Sequence, residues 1–155
     1  MKLKLVAVGT RLDDWITTGF NEYARRLPRE SALELIEIAP AQRRGQPPAK
    51  LRAEEATRLL AKVSSRDHVV ALDVLGTKLS TEKLSQRMAD WRMTGGDVVF
   101  LVGGADGLDV SCLTRANEQL SLSAMTFPHG LVRVMIAEQL YRTWTLLSGH
   151  PYHRA

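Results

Sequence analysis

The fold is decided by the stretch VVFLVGGADGL, residues 98–108, in which five apolar residues run directly into a glycine turn. A second stretch, LSLSAMTFP at residues 120–128, has the same form, and we expect a strand that stops at Pro128 and opens into a helix. Turns built from glycine and small residues let backbone groups face a ligand. Because open α/β sheets bind small molecules at the carboxyl ends of their strands, these two turns are our candidate site.

Strand-like and helix-like segments alternate along the whole chain. The expected strands are residues 2–9, 32–38, 68–74, 98–102 and 120–127, with Gly76 breaking the third. The expected helices are residues 13–27, 49–63, 80–94, 112–116 and 128–147. The third strand is apolar almost throughout, which indicates that both of its faces are covered. The pattern predicts a single α/β domain, residues 1–155, with a mostly parallel sheet and helices on both faces.

The composition is that of a globular protein with a mildly basic surface. The chain has 155 residues, of which 45% are hydrophobic and 25% charged, enough for an ordinary core. The net charge of +4 is a weak indication of a polyanionic partner such as nucleic acid. The single cysteine, Cys112, excludes an internal disulfide and favours the cytoplasm. The first residues resemble a strand more than a signal peptide, and no segment is long enough to span a membrane.

The last helix is apolar around most of its circumference, with Arg133, Glu138 and Arg142 supplying its few charges. An intramolecular core needs only one apolar stripe, so we expect the other side to meet a second copy of the chain. The alternative is a central helix that is buried within one domain. Gly130, at the start of this helix, is expected to leave that start loose.

Two segments outside the periodic pattern have the composition of RNA contacts. Residues 40–50, with Arg43 and Arg44, are expected to form a mobile loop whose arginines are either solvated or in contact with RNA. The sequence GHPYHR, residues 149–154, mixes rings and cations in a tail that we expect to be unpacked. Such a tail can stack on a base and bind phosphate, and an inert terminus is the alternative.

Several common chemistries lack their motifs in this chain. There is no phosphate-binding lysine loop, no Gly-x-Ser-x-Gly elbow, and no His or Cys cluster at metal-ligand spacing, so we expect no metal. The turn after residue 102 lacks the glycine spacing of a dinucleotide fingerprint. Taken alone, it is equally explained as a tight turn that requires positive φ.

Seen together, several segments resemble one known family. They are FLVGG (residues 100–104), Gly107 with Leu108, LSAMTFPH (122–129), LVRV (131–134), EQLYR (138–142) and HPYHR (150–154). The start MKLKLVAVGT (1–10) and Tyr23 with Arg25 and Arg26 also match. In this order, over essentially the whole chain, they are similar to the RlmH family of ribosomal RNA methyltransferases. Each piece is weak, but the joint match is highly specific.

The resemblance implies a SPOUT-type α/β sheet with a C-terminal trefoil knot and a homodimer. Periodicity does not predict the knot, because knotted chains are too rare for a general rule. The implied reaction is methyl transfer from S-adenosylmethionine to N3 of a pseudouridine in the helix 69 loop of 23S rRNA, on the assembled ribosome. The implied cofactor contacts are Leu72, Gly103, Gly104, Leu122, Ser123, Ala124, Met125, Thr126 and Phe127.

The acceptor nitrogen requires help from the protein. An imide nitrogen is mostly protonated at neutral pH, so its proton must be removed or the developing anion stabilised. We expect His129 or Arg142 to lie nearest this step, while Tyr152, His153 and Arg154 hold the nucleotide. In the alternative, His129 only organises the loop and Arg142 only pairs with Glu138. The general base, and the subunit that supplies the tail, are left open. Asp106 in the glycine turn is expected to be without effect on the chemistry.

Two other functions fit parts of the sequence. One is a SPOUT methyltransferase that acts on tRNA or on a ribose hydroxyl, although the short chain lacks an appended RNA-binding domain. The other is a dimeric RNA-binding module without catalysis, which would have no need of a small ligand.

Overall fold

The computed structural model, which describes the backbone of residues 1–154 and the side chains of residues 1–152, contains one five-stranded sheet. The strands are β1 (Leu3–Val8), β2 (Leu33–Ile38), β3 (His68–Lys78), β4 (Val98–Val102) and β5 (Glu118–Ser121). All neighbouring strands are parallel, in the order β2-β1-β4-β3-β5. The helices are α1 (Asp14–Ala24), α2 (Pro48–Leu60), α3 (Thr81–Thr94), α4 (Val110–Arg115) and α5 (His129–Ser148), with short 3-10 turns at Arg29–Ser31 and Pro151–Arg154. The predicted α/β class with a parallel sheet is confirmed.

The sheet separates two apolar cores. Helices α1, α3 and α5 cover one face, where Val98, Phe100 and Val102 of β4 are buried. Helices α2 and α4 cover the other, where Val99 and Leu101 of the same strand are buried. Successive side chains of a strand point to opposite faces, so a central strand with both faces covered is apolar throughout.

The prediction that Gly76 ends the third strand was wrong. Strand β3 continues to Lys78, but its register with β5 shifts, so that Leu120 pairs with both Leu72 and Thr77. A Cβ on Gly76 would lie 2.8 Å from the carbonyl carbon of Leu120. The glycine therefore permits the close approach of two backbones. In sequence, a glycine with this role cannot be distinguished from one that ends a strand.

The prediction of a strand over residues 120–127 was also wrong in extent. Strand β5 stops at Ser121, and residues 122–127 form a loop. Ser121 Oγ donates to the carbonyl of Ser123 at 2.9 Å, and Ser123 Oγ accepts from the N–H of Met125 at 3.0 Å. These short-range bonds give the backbone an alternative to the strand ladder.

Helix α5 lies between α1 and α3, where Ile136, Ala137 and Leu140 are fully buried. Gly130 is buried as well, and a Cβ there would lie 2.5 Å from Cδ1 of Ile16. The expected looseness at this point was wrong, since the missing side chain lets two helices touch. Much of the apolar circumference of α5 is thus used within one chain, as in the alternative of a central helix. The second chain stays a prediction.

Glu118 fastens the edge strand β5 to the rest of the fold. Its carboxylate accepts from Arg87 Nε at 2.8 Å and from Trp91 Nε1 at 2.9 Å, and it contacts His68 Nε2. Burial alone would raise the pKa of Glu118, but the hydrogen bonds from Arg87, His68 and Trp91 outweigh burial and lower it to about 2.

We expect Glu118→Gln to destabilise the fold more at neutral than at acid pH. The ionised carboxylate stabilises the folded state fully above its ordinary value of 4.5, and this contribution is lost as the pH falls towards 2. Its full size is on the order of 3 kcal/mol. Urea denaturation of wild type and variant at pH 7 and pH 3 measures the change. Glu54→Gln, which removes an exposed partner of Arg58, is the control. A difference that is equal at both pH values would contradict this role.

Candidate active site

The two turns singled out in the sequence enclose one cavity at the carboxyl edge of the sheet. The turn at residues 103–107 follows β4, the loop at 122–127 follows β5, and the cavity between them has a volume of about 350 Å³. Sites for small molecules have this size. Its lining includes the predicted residues Leu72, Gly103, Gly104, Leu122, Ser123, Met125, Thr126, Phe127 and His129. Ala124, also predicted to contact the cofactor, is exposed and outside this lining.

The glycine turn has no space for a side chain at Gly103, and at Gly107 it favours glycine because of its backbone conformation. The carbonyl of Gly104 accepts from the N–H of Gly107 at 3.1 Å, and Gly107 has a φ of +81°. A Cβ on Gly103 would lie 2.6 Å from the backbone of Gly107. The interpretation as a tight turn with a positive φ is therefore confirmed, and the backbone surface for a ligand stays a prediction.

The walls of this first cavity are largely apolar. Leu72, Leu120, Leu122 and Val132 contribute to them. Asp73 is the one acidic side chain that the described residues place in the lining, and it accepts from the N–H of Leu75 at 3.2 Å. Sequence reasoning missed Asp73, although it directly follows the apolar part of β3.

Arg142 does not reach this cavity within its own chain. It lies thirteen residues after His129 on α5, which is about 20 Å along the helix axis. Its Nε donates to Glu138 Oε1 at 2.6 Å, and this bond raises the pKa of Arg142. Its guanidinium also lies over the ring of Tyr152, 4.9 Å from the centroid. The pairing with Glu138 is thus present, and it places Arg142 against the tail.

The tail is packed, contrary to expectation, as far as Tyr152. The ring centroids of Tyr152 and Tyr141 are 4.6 Å apart. The guanidinium carbon of Arg26 lies 5.9 Å from the centroid of the Tyr152 ring. Burial raises the pKa of the Tyr152 hydroxyl, and the charge of Glu138 adds to the effect. Rings between guanidinium groups are a chemistry that also suits nucleobases. The side chains of His153 and Arg154 lie outside the described residues.

A second cavity of about 320 Å³ adjoins the first. Gly104, Ala105 and His129 line both cavities. The remaining lining of the second comes from the ends of β1 and β2, the start of α2 and the glycine turn, and includes Gly9, Arg11, Ala41, Arg43, Leu51, Glu55 and Asp106. His129, predicted to be near the chemistry, therefore stands at the junction of two spaces.

The loop that contributes to the second cavity is tied down at two points. Arg43 forms an ion pair with Asp106 at 2.9 Å, and Glu55 Oε2 accepts from the N–H of Ala41 at 3.0 Å. Pro48, which was assigned to the loop, belongs to α2, as do residues 49–50, which were assigned to both the loop and the helix. Asp106, expected to be without chemical effect, therefore joins the loop to the glycine turn.

Sequence reasoning overlooked Glu55 in this region, as it did Thr10 and Arg11. The spacing of Glu55 from Leu51 and Leu59 puts it on the apolar stripe of α2, and all three side chains are buried. A carboxylate on a buried stripe was the signal that could have found it.

Among the described residues, no helix is long and apolar enough to cross a membrane. The same residues contain no group of His, Cys, Asp and Glu side chains that could hold a metal ion.

A parallel α/β sheet with a ligand-sized cavity at its carboxyl edge is the arrangement in which open α/β proteins bind small molecules. The family model described as "Predicted SPOUT methyltransferase" matches residues 1–153. Ribosomal RNA large subunit methyltransferase H of Hahella chejuensis is 54% identical over 155 residues, covering 99% of both chains. The protein of the same name from Methylococcus capsulatus is also 54% identical, covering 99% of this chain and 100% of the other. The chain therefore belongs to the RlmH family of SPOUT methyltransferases.

A solved structure supports the fold alone. It is described as that of a probable methylase family protein from Haemophilus influenzae, with a TM-score of 0.56 and 10% identity over 97% of this chain and 69% of the other. The trefoil knot that the family implies stays a prediction.

Two glycines of the same turn should respond differently to alanine. We expect Gly103→Ala to cost more than about 2 kcal/mol, since its Cβ would overlap the backbone of Gly107. Gly107→Ala should cost about 1 kcal/mol, because its Cβ meets open space and only the positive φ is strained. Urea denaturation of both variants measures the difference. Equal costs would mean that the turn relaxes around the new side chain.

Proposed function

We propose that the protein transfers a methyl group from S-adenosylmethionine to N3 of a pseudouridine in the helix 69 loop of 23S rRNA, on assembled ribosomes in the cytoplasm. The observation that carries the proposal is that eight of the nine residues assigned to the methyl donor by the family resemblance line a single cavity. The identity of 54% to proteins named ribosomal RNA large subunit methyltransferase H supports it.

The first cavity fits a methyl donor of this kind. Adenine needs apolar walls and backbone hydrogen-bonding groups, which Leu72, Leu122 and the turn at Gly103 can supply. Asp73 adds an acceptor for hydroxyl or ammonium hydrogens. The donor supplies an electrophilic methyl group on a sulfonium. The protein has to bind the donor, align the methyl group and exclude water, and no metal is needed for this.

A second copy of the chain is required to bring Arg142 and the tail to the reaction. Within one chain, Arg142 and Tyr152 lie at the far end of α5, about 20 Å from His129. On the outer side of α5, Leu131 and Met135 are only partly buried. Near the first cavity, Leu75 is 88% exposed and Met125 is 73% exposed. We infer a homodimer in which these apolar surfaces are covered and the tail of one chain faces the cavity of the other.

Methyl transfer to intact ribosomes should exceed transfer to free 23S rRNA. The chain has a small surface for RNA, so the shape of the assembled particle has to supply part of the recognition. Radiolabelled donor measures transfer to each substrate, and mass spectrometry of the nucleosides identifies the product. A methylated tRNA or ribose hydroxyl would support the related methyltransferase activities instead. RNA binding without any donor binding, measured by calorimetry, would support the non-catalytic module.

Arg142→Ala should nearly abolish methyl transfer while donor affinity stays close to that of wild type, because Arg142 lies far from the first cavity of its own chain. Single-turnover kinetics and calorimetry measure the two quantities. Arg92→Ala, which removes an exposed cation from the last turn of α3, is the matched control. Loss of donor binding in Arg142→Ala would make Arg142 structural.

Mixing two inactive variants tests the shared site. Leu122→Arg should block the first cavity, and Arg142→Ala leaves that cavity intact. After random exchange of subunits, half of the dimers are mixed and each has one complete site, so activity should return to about one quarter of wild type. No recovery, with exchange verified by native mass spectrometry, would place Arg142 in the site of its own chain.

A further inference from the structure

Glu55 carries a buried oxygen that has no hydrogen-bond partner. The residue is 7% exposed, and its Oε2 accepts from the N–H of Ala41 at 3.0 Å. Its Oε1 is without a partner among the described residues. Leaving a buried polar atom unsatisfied costs the hydration energy of that atom, and the cost is larger for a charged group. A native protein that retains such a group requires an explanation for it.

The position of Glu55 suggests what its partner is. The residue lines the second cavity, which meets the first at Gly104, Ala105 and His129. A Cβ on Gly104 would lie 3.3 Å from Oε1, so the carboxylate lies directly against the turn that belongs to both cavities. A group that approaches a methyl donor in the first cavity through the second would therefore pass close to Glu55.

The second cavity also has the charges that a nucleotide needs. Arg11 and Arg43 contribute two exposed cations to its lining, suited to the phosphates of an RNA strand. Arg43 forms an ion pair with Asp106, and His129 is the remaining titratable residue of this lining besides Glu55. Arg133, which is buried behind the second cavity, forms an ion pair with Glu37. Cations at the surface and one buried acceptor inside match phosphate and a base N–H, respectively.

Resting on the proposed function, we propose that the second cavity holds the acceptor base and that Glu55 is the catalytic base for its imide proton. The N3–H bond breaks and its proton moves to Oε1 of Glu55. The electron pair left on N3 forms the bond to the methyl carbon, while the carbon–sulfur bond of the donor breaks. The products are the N3-methylated base, a neutral thioether and a protonated Glu55. The step removes a buried charge, and the N–H supplies the partner that Oε1 lacks beforehand.

Glu55→Gln tests this assignment, because it keeps the size of the side chain and an oxygen for the N–H of Ala41 but cannot take the proton. We expect donor affinity to be unchanged and the free energy of unfolding to be no lower than in wild type, since the substitution removes an uncompensated buried charge. At neutral pH, methyl transfer to ribosomes in a single turnover should fall by about 10²–10⁴-fold. The deficit should shrink as the pH rises, because the imide then ionises without a base.

Two further variants make the result specific. Glu54→Gln changes the neighbouring, exposed carboxylate on the same helix and should keep the wild-type rate. Glu55→Asp retains a carboxylate, and should be faster than Glu55→Gln at neutral pH while lacking its recovery at alkaline pH. If Glu55→Gln does not fold, the rate and pH profile of Glu55→Asp test the proposal instead. A Glu55→Asp variant with both the rate and the pH profile of wild type would overturn it.

The outcomes separate the two proposals. An inactive wild type on ribosomes would overturn the proposed function and the role of Glu55 with it. An active wild type together with a fully active Glu55→Gln would overturn the role of Glu55 alone. So would a loss of rate that is the same at every pH and accompanied by lower stability, because a structural defect does not respond to ionisation of the substrate.

Discussion

The buried guanidinium of Arg133 holds the carboxyl edge of the sheet against the last helix. Its Nη2 donates to the carbonyls of Val8 and Gly9 at 3.2 and 2.9 Å, and its Nη1 donates to Glu37 at 2.5 Å. A cation that is 1% exposed loses several kcal/mol of hydration. The amino-terminal end of a helix also disfavours positive charge. Only a nearly complete set of acceptors can retain it there, so the ends of β1 and β2 and the first turn of α5 are fixed together.

That constraint places His129. The residue lies four positions before Arg133 on α5, and side chains four apart share one face of a helix. The face that reaches the end of β1 therefore also carries His129 to the junction of the two cavities. A methyl donor on one side and a nucleotide on the other would meet there, with Glu55 beneath the shared turn. Preorganised geometry of this kind is the main contribution that a protein can make to a transfer between two bound molecules.

Helix α5 also explains why one chain is insufficient for the proposed reaction. Its 20 residues span about 30 Å, with His129 at one end and the Arg142–Tyr152 contact at the other. The inner side of the helix packs against α1, α3 and the sheet. A tail that packs on its own helix cannot also reach the cavity of its own chain, so the proposed chemistry requires a second copy.

Local patterns in the chain were sufficient for the element types, the parallel sheet and the glycine turn after β4, because apolar periodicity and glycine conformations act over a few residues. Through the family resemblance they also selected eight residues that line the first cavity, although Ala124 lies outside it and Asp73 was missed. The extent of β3 and β5, the packing of Tyr152, the ion pair of Arg43 with Asp106 and the orphan oxygen of Glu55 were decided only in three dimensions. Each of these depends on groups that are distant in sequence, such as Leu72 and Thr77 against Leu120 or Ala41 against Glu55. Burial and pairing between distant segments are properties of the packed chain, and no local pattern encodes them.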